Sequence, residues 1–252
     1  MIKNIQSMLE IDKKKVIFKT KEIWFSDYPF DVVGYGRVSF RDCKNKVVSR
    51  EFSCEEFTTL VIDLTQDLDT IWKAIHGKCR TKINSAKRRG VKIERNKDYE
   101  GFYRLNDLFR RNKKLPMMRV GCEFMKKYGT LFTAHLNGKM LSGYFALEDK
   151  NTMRLLVGAS RRLEVTKEDV SLIGKANRLI LWEIIRYAKE KGMKEFDLGG
   201  YYIGTKKDEE KEKINFFKRD FGGKVVTHYI YQKYYSTFYK IAQKTYQLVR
   251  RA

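Results

Sequence analysis

The sequence predicts an α+β fold built around a mixed sheet, and three observations lead to this class. A run of alternating apolar and polar residues over 131–158 contains the dipeptide Asn137-Gly138, the strongest hairpin signal in the chain. A long, nearly apolar helical pattern over 171–191 follows this run, and a strand pattern over 194–198 follows the helix. A meander whose next strand returns through a helix favours parallel pairing at that point, so we expect a mixed sheet.

Composition sets the outer limits on fold and function. The chain has 252 residues, 42% of them hydrophobic, and a formal net charge of +22. These values allow one large domain or two small ones, exclude a disordered chain and predict an anionic partner. The sequence shows no signal peptide and no run of eighteen apolar residues, and its four cysteines form no Cys-x-x-Cys pair. We expect a cytoplasmic protein with reduced thiols and no metal site, and peripheral contact with the inner membrane face stays open.

The N-terminal half is predicted to begin with strands and continue with helices. Residues 1–63 are expected to form a strand-rich part packed on the main domain. From 68 to 90, apolar residues recur at helical spacing, which predicts one helix capped by Thr65 and ended by Gly90. Two more helices are expected, at 98–114 and 122–128.

The C-terminal half carries the predicted sheet and its crossover helix. The expected elements are three meander strands, a long helix, a strand entering a Gly-Gly pair, a short helix, a further strand and a basic amphipathic tail helix. In chain order they cover 131–136, 140–147, 153–158, 171–191, 194–198, 214–221, 225–231 and 236–252.

Three segments near the C-terminus resemble the signature of the Fem family, the peptidoglycan interpeptide-bridge aminoacyltransferases and their GNAT-like relatives. They are Phe196-Asp197-Leu198-Gly199-Gly200, Ile214-Asn215-Phe216-Phe217-Lys218 and Phe221-Gly222-Gly223. The upstream helix adds a tryptophan followed by a basic run, with Trp72, Lys78, Arg80, Ile83, Ala86 and Gly90 at the family's positions. This resemblance, over about 64–231, implies one largely complete GNAT-like acyltransferase domain at 64–235 and a reduced N-terminal part at 1–63; the amphipathic pattern adds the helix at 236–252.

The resemblance implies transfer of an acyl group to an amine. The donor is an aminoacyl ester on tRNA in the bridge enzymes and a thioester in other GNAT relatives. Attack on the donor carbonyl creates an oxyanion, and the resemblance assigns its stabilisation to Lys218 and the wall of the acyl channel to Phe217. A core role for Phe217 and a solvated Lys218 is the alternative. Asp197 is either the base that deprotonates the amine or the residue that holds the Gly199-Gly200 turn.

Candidate substrate contacts fall into a signature group and a basic group. The first contains Gly199, Gly200, Tyr201 and Asn215; the second contains Arg80, Lys82, Lys87, Arg161 and Arg162. Residues 66–120 hold sixteen Lys and Arg against six Asp and Glu, which predicts contact with tRNA, a nucleotide-sugar diphosphate or a lipid-linked precursor. A solvated basic face is the alternative, and the aromatic tail is equally consistent with a membrane interface or with packing.

The donor is left open by the sequence. A GNAT enzyme that uses coenzyme A has a Gln/Arg-x-x-Gly-x-Gly/Ala loop that opens the long helix, where amides bind phosphate. The corresponding segment, Ser171-Leu172-Ile173-Gly174-Lys175-Ala176, keeps the glycine and alanine but begins with serine, which mildly favours a macromolecular donor.

Three functions follow, in order of preference. The first is aminoacyl transfer from charged tRNA to an amine of peptidoglycan or another cell-envelope precursor. The second is an N-acyltransferase that uses acyl-CoA or an acyl carrier protein and acts on an amino sugar of surface polysaccharide. The third is a non-catalytic nucleic-acid-binding protein. Neither transfer reaction requires a cofactor, because the charged tRNA or the acyl thioester is a co-substrate.

Overall fold

The structure is a computed structural model that describes residues 8–15, 18–116 and 120–241. The strands are β1 (Leu9–Lys15), β2 (Phe18–Trp24), β3 (Arg37–Cys43), β4 (Ser53–Asp63), β5 (Lys92–Arg95), β6 (Gly129–Leu136), β7 (Lys139–Glu148), β8 (Thr152–Ser160), β9 (Glu195–Gly200) and β10 (Lys224–Tyr234). The helices are α1 (Leu68–Ala74), α2 (Gly77–Arg88), α3 (Tyr99–Asn112), α4 (Cys122–Tyr128), α5 (Lys167–Glu190) and α6 (Glu209–Arg219).

The chain divides into two compact units, and the larger one covers residues 60–225. Its strands lie in the order β4-β9-β8-β7-β6-β5. Strands β6, β7 and β8 form the predicted antiparallel meander, and α5 leads from β8 to a parallel β9. The α+β class with a mixed sheet is therefore confirmed. The central turns of α5 bury Leu179, Ile180, Leu181, Ile184 and Ile185, which places this helix in the core of the unit.

The predicted helix from 68 to 90 is two helices. The chain is extended at Ile75, with ψ of 133°, and the backbone N–H of His76 donates to the carbonyl of Asp220 at 2.8 Å. This long-range bond takes the place of a helical one and interrupts the helix at Ile75. The apolar periodicity continues across the break, so the sequence pattern does not reveal it. The N-cap of α1 is Asp67, whose carboxylate accepts from the backbone of Thr70, and not the predicted Thr65.

The predicted start of the long helix at 171 is a further correction, because α5 begins at Lys167. Thr166 is its N-cap and accepts from the backbone N–H of Asp169. Gly174 therefore lies inside the helix, where its carbonyl accepts from Arg178 at 3.1 Å. The amides of 171–176 are used by helical bonds and do not form a free loop.

The smaller unit combines residues 1–59 with 226–252. Its strands lie in the order β1-β2-β3-β10, and its core contains Ile23, Val38, Phe40, Cys43 and Tyr231. The predicted boundary at 235 differs from this division, since β10 pairs antiparallel with β3 and so groups 226–234 with the N-terminal residues. The predicted tail helix at 236–252 lies mostly outside the described residues. Among the described helices, none is both long and apolar enough to cross a membrane.

Candidate active site

The site is built where β8 and β9 run in parallel. Their described ladder covers three residue pairs, from Thr152↔Glu195 to Arg154↔Asp197. Beyond the last pair, β8 continues to Ser160 and β9 to Gly200. A bulge in β8 shifts its register against β7 just after this point. Bulges change the direction of side chains and are common next to active sites.

Asp197 is held on both carboxylate oxygens. It is 1% exposed, one oxygen accepts from the backbone N–H of Gly199 at 2.6 Å, and the other accepts from the guanidinium of Arg154. A carboxylate that is buried and engaged in this way is poorly placed to take a proton from an incoming amine. The geometry favours the interpretation in which Asp197 fixes the Gly199-Gly200 turn at the end of β9.

Gly199 supplies the backbone conformation that this turn needs. Its φ is +77°, in the left-handed region that side-chain-bearing residues rarely adopt. A Cβ at this position would lie 3.4 Å from the carbonyl oxygen of Leu155 and 4.0 Å from Nζ of Lys218. The turn therefore directs the carbonyls of the Gly-Gly pair towards Lys218.

Lys218, in the last turn of α6, closes the site from the other side. Its Nζ donates to the carbonyl oxygen of Gly199 at 3.0 Å and to that of Gly200 at 2.5 Å. Burial lowers the pKa of this half-buried ammonium to about 8; nearby Asp197 opposes the shift and Arg154 adds to it. An ammonium has three N–H donors, so the two carbonyls leave one for a ligand.

Phe217 lies between the core and the site. It is half-buried against the apolar core of the unit, and its ring centroid is 5.8 Å from that of Phe221. The guanidinium of Arg178 lies 4.8 Å from the Phe217 ring centroid and donates to Asp220 at 2.8 Å. This cation on α5 fixes the C-terminal end of α6 and therefore the position of Lys218.

Asn215 connects the same helix to the loop after β9. Its side-chain oxygen accepts from the backbone N–H of Tyr202 at 3.0 Å, and its Nδ2 donates to the Tyr202 carbonyl at 2.7 Å. Tyr201 packs partly buried against the core, while Gly200 is exposed. The structure thus places Asn215 as a clamp on the loop that would border a bound substrate, and its contact with substrate stays a prediction.

The basic candidates make their contacts elsewhere. Arg80 donates to the carbonyls of Trp72, Lys73 and Ile75 and so satisfies the C-terminal end of α1. Lys82 is exposed, and Nζ of Lys87 lies 3.5 Å from Oε1 of Glu183 on α5.

Arg161 and Arg162 form part of a short 3-10 turn after β8. The Arg161 Nε donates to the carbonyl of Met140 at 2.7 Å, and its Nη1 donates to Glu164 at 3.2 Å. The guanidinium of Arg162 lies 5.7 Å from the ring centroid of Phe109. The described contacts of these two arginines are therefore with β7, α3 and the nearby Glu164, and not with the signature residues.

Two residues of this region were missed by the sequence analysis. Arg154 pairs with Asp197, but nothing in a strand pattern distinguishes it from a solvated arginine. Tyr144 on β7 lies opposite Gly158, where a Cβ would come within 2.5 Å of the ring. Burial raises the Tyr144 pKa to about 12, although Arg162 and Arg178 oppose the shift. A glycine inside a strand often marks such a close approach, so Gly158 was the available signal.

Comparison with known proteins gives the fold a family. Residues 74–213, more than half of the chain, match the family described as acetyltransferase (GNAT) domain. The crystal structure of FemX is similar at a TM-score of 0.61 and 14% identity, covering 97% of this chain and 87% of FemX. No curated protein sequence matches the chain significantly.

Two further solved structures are similar. The C-terminal domain (DUF2156) of a putative lysylphosphatidylglycerol synthetase from Agrobacterium fabrum has a TM-score of 0.57 and 12% identity, covering 89% of this chain and 79% of that one. L-PGS from Bacillus licheniformis has a TM-score of 0.53 and 10% identity, covering 92% and 82%. At these identities the likenesses show the fold alone. The family match, together with the meander, the crossover helix and the parallel β9, shows that this chain belongs to the GNAT acetyltransferase-domain family and is an acyltransferase.

Proposed function

We propose that this acyltransferase moves an aminoacyl group from charged tRNA to an amine of peptidoglycan or another cell-envelope precursor. The observation that carries the proposal is the Lys218 ammonium, held by the carbonyls of Gly199 and Gly200 at the end of β9. These residues belong to the segments that resemble the Fem signature. The FemX likeness in fold is consistent with this proposal.

The reaction needs few groups from the protein. The acceptor amine attacks the ester carbonyl of the donor and forms a tetrahedral intermediate with a negative oxygen. The free N–H of Lys218 stabilises that oxygen, as a preorganised donor in a partly buried site can. The C–O bond to the tRNA then breaks, the amide remains on the acceptor, and the proton lost by the amine neutralises the departing ribose oxygen.

Asp197 acts in this scheme as an anchor rather than as a base. Its two oxygens keep Gly199 and Arg154 in place. The turn they hold presents the two carbonyls that orient Lys218. Phe217, packed between Arg178 and the core, forms the adjoining wall of the acyl channel.

A thioester-dependent N-acyltransferase acting on an amino sugar is the second candidate. The family match favours it, because the matching family is described as an acetyltransferase domain. A thioester donor would form the same oxyanion next to Lys218, with a thiol as the leaving group. The family match gives no support to a non-catalytic nucleic-acid-binding protein.

One assay separates the two candidates. The protein is offered charged tRNA and acyl-CoA in parallel, each with a peptidoglycan-precursor amine and an amino sugar as acceptors, and amide formation is followed by mass spectrometry. Turnover with charged tRNA alone supports the proposal. Turnover with acyl-CoA in the absence of RNA selects the second candidate and overturns the first.

A further inference from the structure

A concave surface lies along α3, and its lining contains none of the residues that hold Lys218. It is a groove of about 730 Å³ between α3 and the hairpin of β6 and β7. We call it the α3 groove, and its walls include three cations and three apolar residues, namely Arg104, Lys139, Arg161, Leu105, Leu108 and Met140. Neither Arg104 nor Lys139 was named individually as a candidate contact from the sequence.

The charge of the α3 groove is positive. Arg104 and Lys139 are exposed, and among the described residues neither has an acidic partner. Arg161 is partly neutralised by Glu164. The carboxylate of Asp98, at one end of the groove, accepts from the backbone N–H of Gly101 as the N-cap of α3. Two unpartnered cations in one groove attract anions more strongly than cations already paired with carboxylates.

The dimensions of the groove favour a polymer over a single headgroup. Residues from Asp98 to Leu108 line it along α3. Ten helical steps of about 1.5 Å give a length of about 15 Å. This length exceeds the size of one phosphate group, so consecutive phosphates of a nucleic-acid strand can follow the groove.

A lipid fits the same groove poorly. Leu105 and Met140 are only 4% and 7% exposed, and Leu108, at 41%, is the one lining leucine that offers substantial apolar surface. An acyl chain needs a continuous apolar slot, because its affinity comes from buried apolar area. A phosphate backbone needs Lys and Arg at the rim and no such slot.

We infer that the α3 groove is a docking site for the phosphate backbone of RNA, with Arg104, Lys139 and Arg161 as its contacts. The identity of that RNA as the acyl donor rests on the proposed function, whereas the binding itself does not. A backbone contact of this kind carries no base sequence, so the groove would orient the RNA without selecting it.

The test measures RNA binding without turnover. A short, fluorescein-labelled single-stranded RNA is titrated with the full chain, and anisotropy is recorded over a series of salt concentrations. The variants are Arg104→Gln, Lys139→Gln and their double mutant. The control is Lys194→Gln, which removes the same charge from an exposed site at the start of β9. Thermal melting confirms that all variants are folded.

We expect each single variant to weaken binding about fivefold and the double mutant about 25-fold at about 0.1 M salt, because each lost contact reduces the salt slope by about 0.7 for a single strand. The control is expected to bind as wild type does. Equal losses in the groove and control variants, or no loss in either, would overturn the inference. The same variants are also mixed with phosphatidylglycerol vesicles. If they bind RNA as wild type does but bind the vesicles less tightly, the inference is overturned in favour of a membrane contact.

Failure of the docking site and failure of the proposed function give different results. If charged tRNA supports no transfer while RNA binding still depends on Arg104 and Lys139, the proposed donor is wrong and the docking site stands. If charged tRNA supports transfer while RNA binding is indifferent to both residues, the proposed donor stands and the docking site is wrong.

Discussion

Replacing Lys218 by methionine tests the central assignment of the site. Methionine has a similar length and volume but no N–H donor, so the oxyanion loses its stabilising contact. Removal of one donor of this kind lowers kcat by about 10² to 10³-fold, or about 2.7–4 kcal/mol. The carbonyls of Gly199 and Gly200 also lose their donor, but water reaches the exposed Gly200, and a net hydrogen bond contributes only about 1 kcal/mol.

The loss of activity should therefore exceed the loss of stability. The assay is the single-turnover rate of amide formation, measured beside urea unfolding. The control is Lys213→Met, which changes an exposed lysine on the same helix. A folded Lys218→Met variant that transfers at the wild-type rate would show that Lys218 has no role in charge stabilisation.

The pH dependence of stability and of transfer rate, compared between wild type and the Lys218→Met variant, gives an independent test. The pKa of Lys218 falls from 10.5 to about 8 on folding. Between these values the unfolded chain binds more protons than the folded chain, so the unfolding free energy of wild type should rise with pH in this window. The rate should instead fall above pH 8 as the ammonium loses its proton. The Lys218→Met variant should lack both effects. If wild type and the variant show the same pH profiles of stability and rate, Lys218 is not a buried ammonium that acts in transfer.

Three further changes separate structural from catalytic roles. Asp197→Asn removes the charge from a buried carboxylate that pairs with the guanidinium of Arg154, and should destabilise the fold by about 3–5 kcal/mol in urea unfolding, whereas an inactive variant of unchanged stability would point to a base. Gly199→Ala should cost about 1–2 kcal/mol of unfolding free energy, because its φ is +77° while the new Cβ would make only van der Waals contact with the Leu155 carbonyl oxygen at 3.4 Å. An unchanged melting temperature would exclude this strain. Arg80→Met should lower the melting temperature, because its hydrogen bonds to the end of α1 are lost. It should reduce RNA affinity no more than Lys82→Met does, and a larger reduction would make Arg80 a phosphate contact.

Much of the fold could be predicted from local pattern. The Asn137-Gly138 turn, the alternation on either side of it and the apolar α5 are each determined by neighbouring residues, and the structure confirms them. The break at Ile75 could not be predicted in this way. It depends on a hydrogen bond from His76 to Asp220, more than one hundred residues later, and local periodicity carries no record of such a partner.

The candidate site shows the same division. The resemblance brought Asp197, the Gly-Gly pair and the Phe217-Lys218 pair forward together, and the structure connects Asp197, the Gly-Gly pair and Lys218 by hydrogen bonds. It did not indicate Arg154, because a strand arginine has the same local pattern whether it is solvated or paired with a buried carboxylate.

The sequence by itself determined the α+β class, the order of the meander and crossover helix, and the positive charge. These follow from periodicity, turn chemistry and composition, which act over short stretches of chain. Only the tertiary structure decided that Asp197 is held on both oxygens, that Arg80 satisfies a helix end, and that the cations of the α3 groove lie together. Those outcomes depend on which distant groups share a buried or crowded space, and burial and pairing of charges are properties of the packed chain.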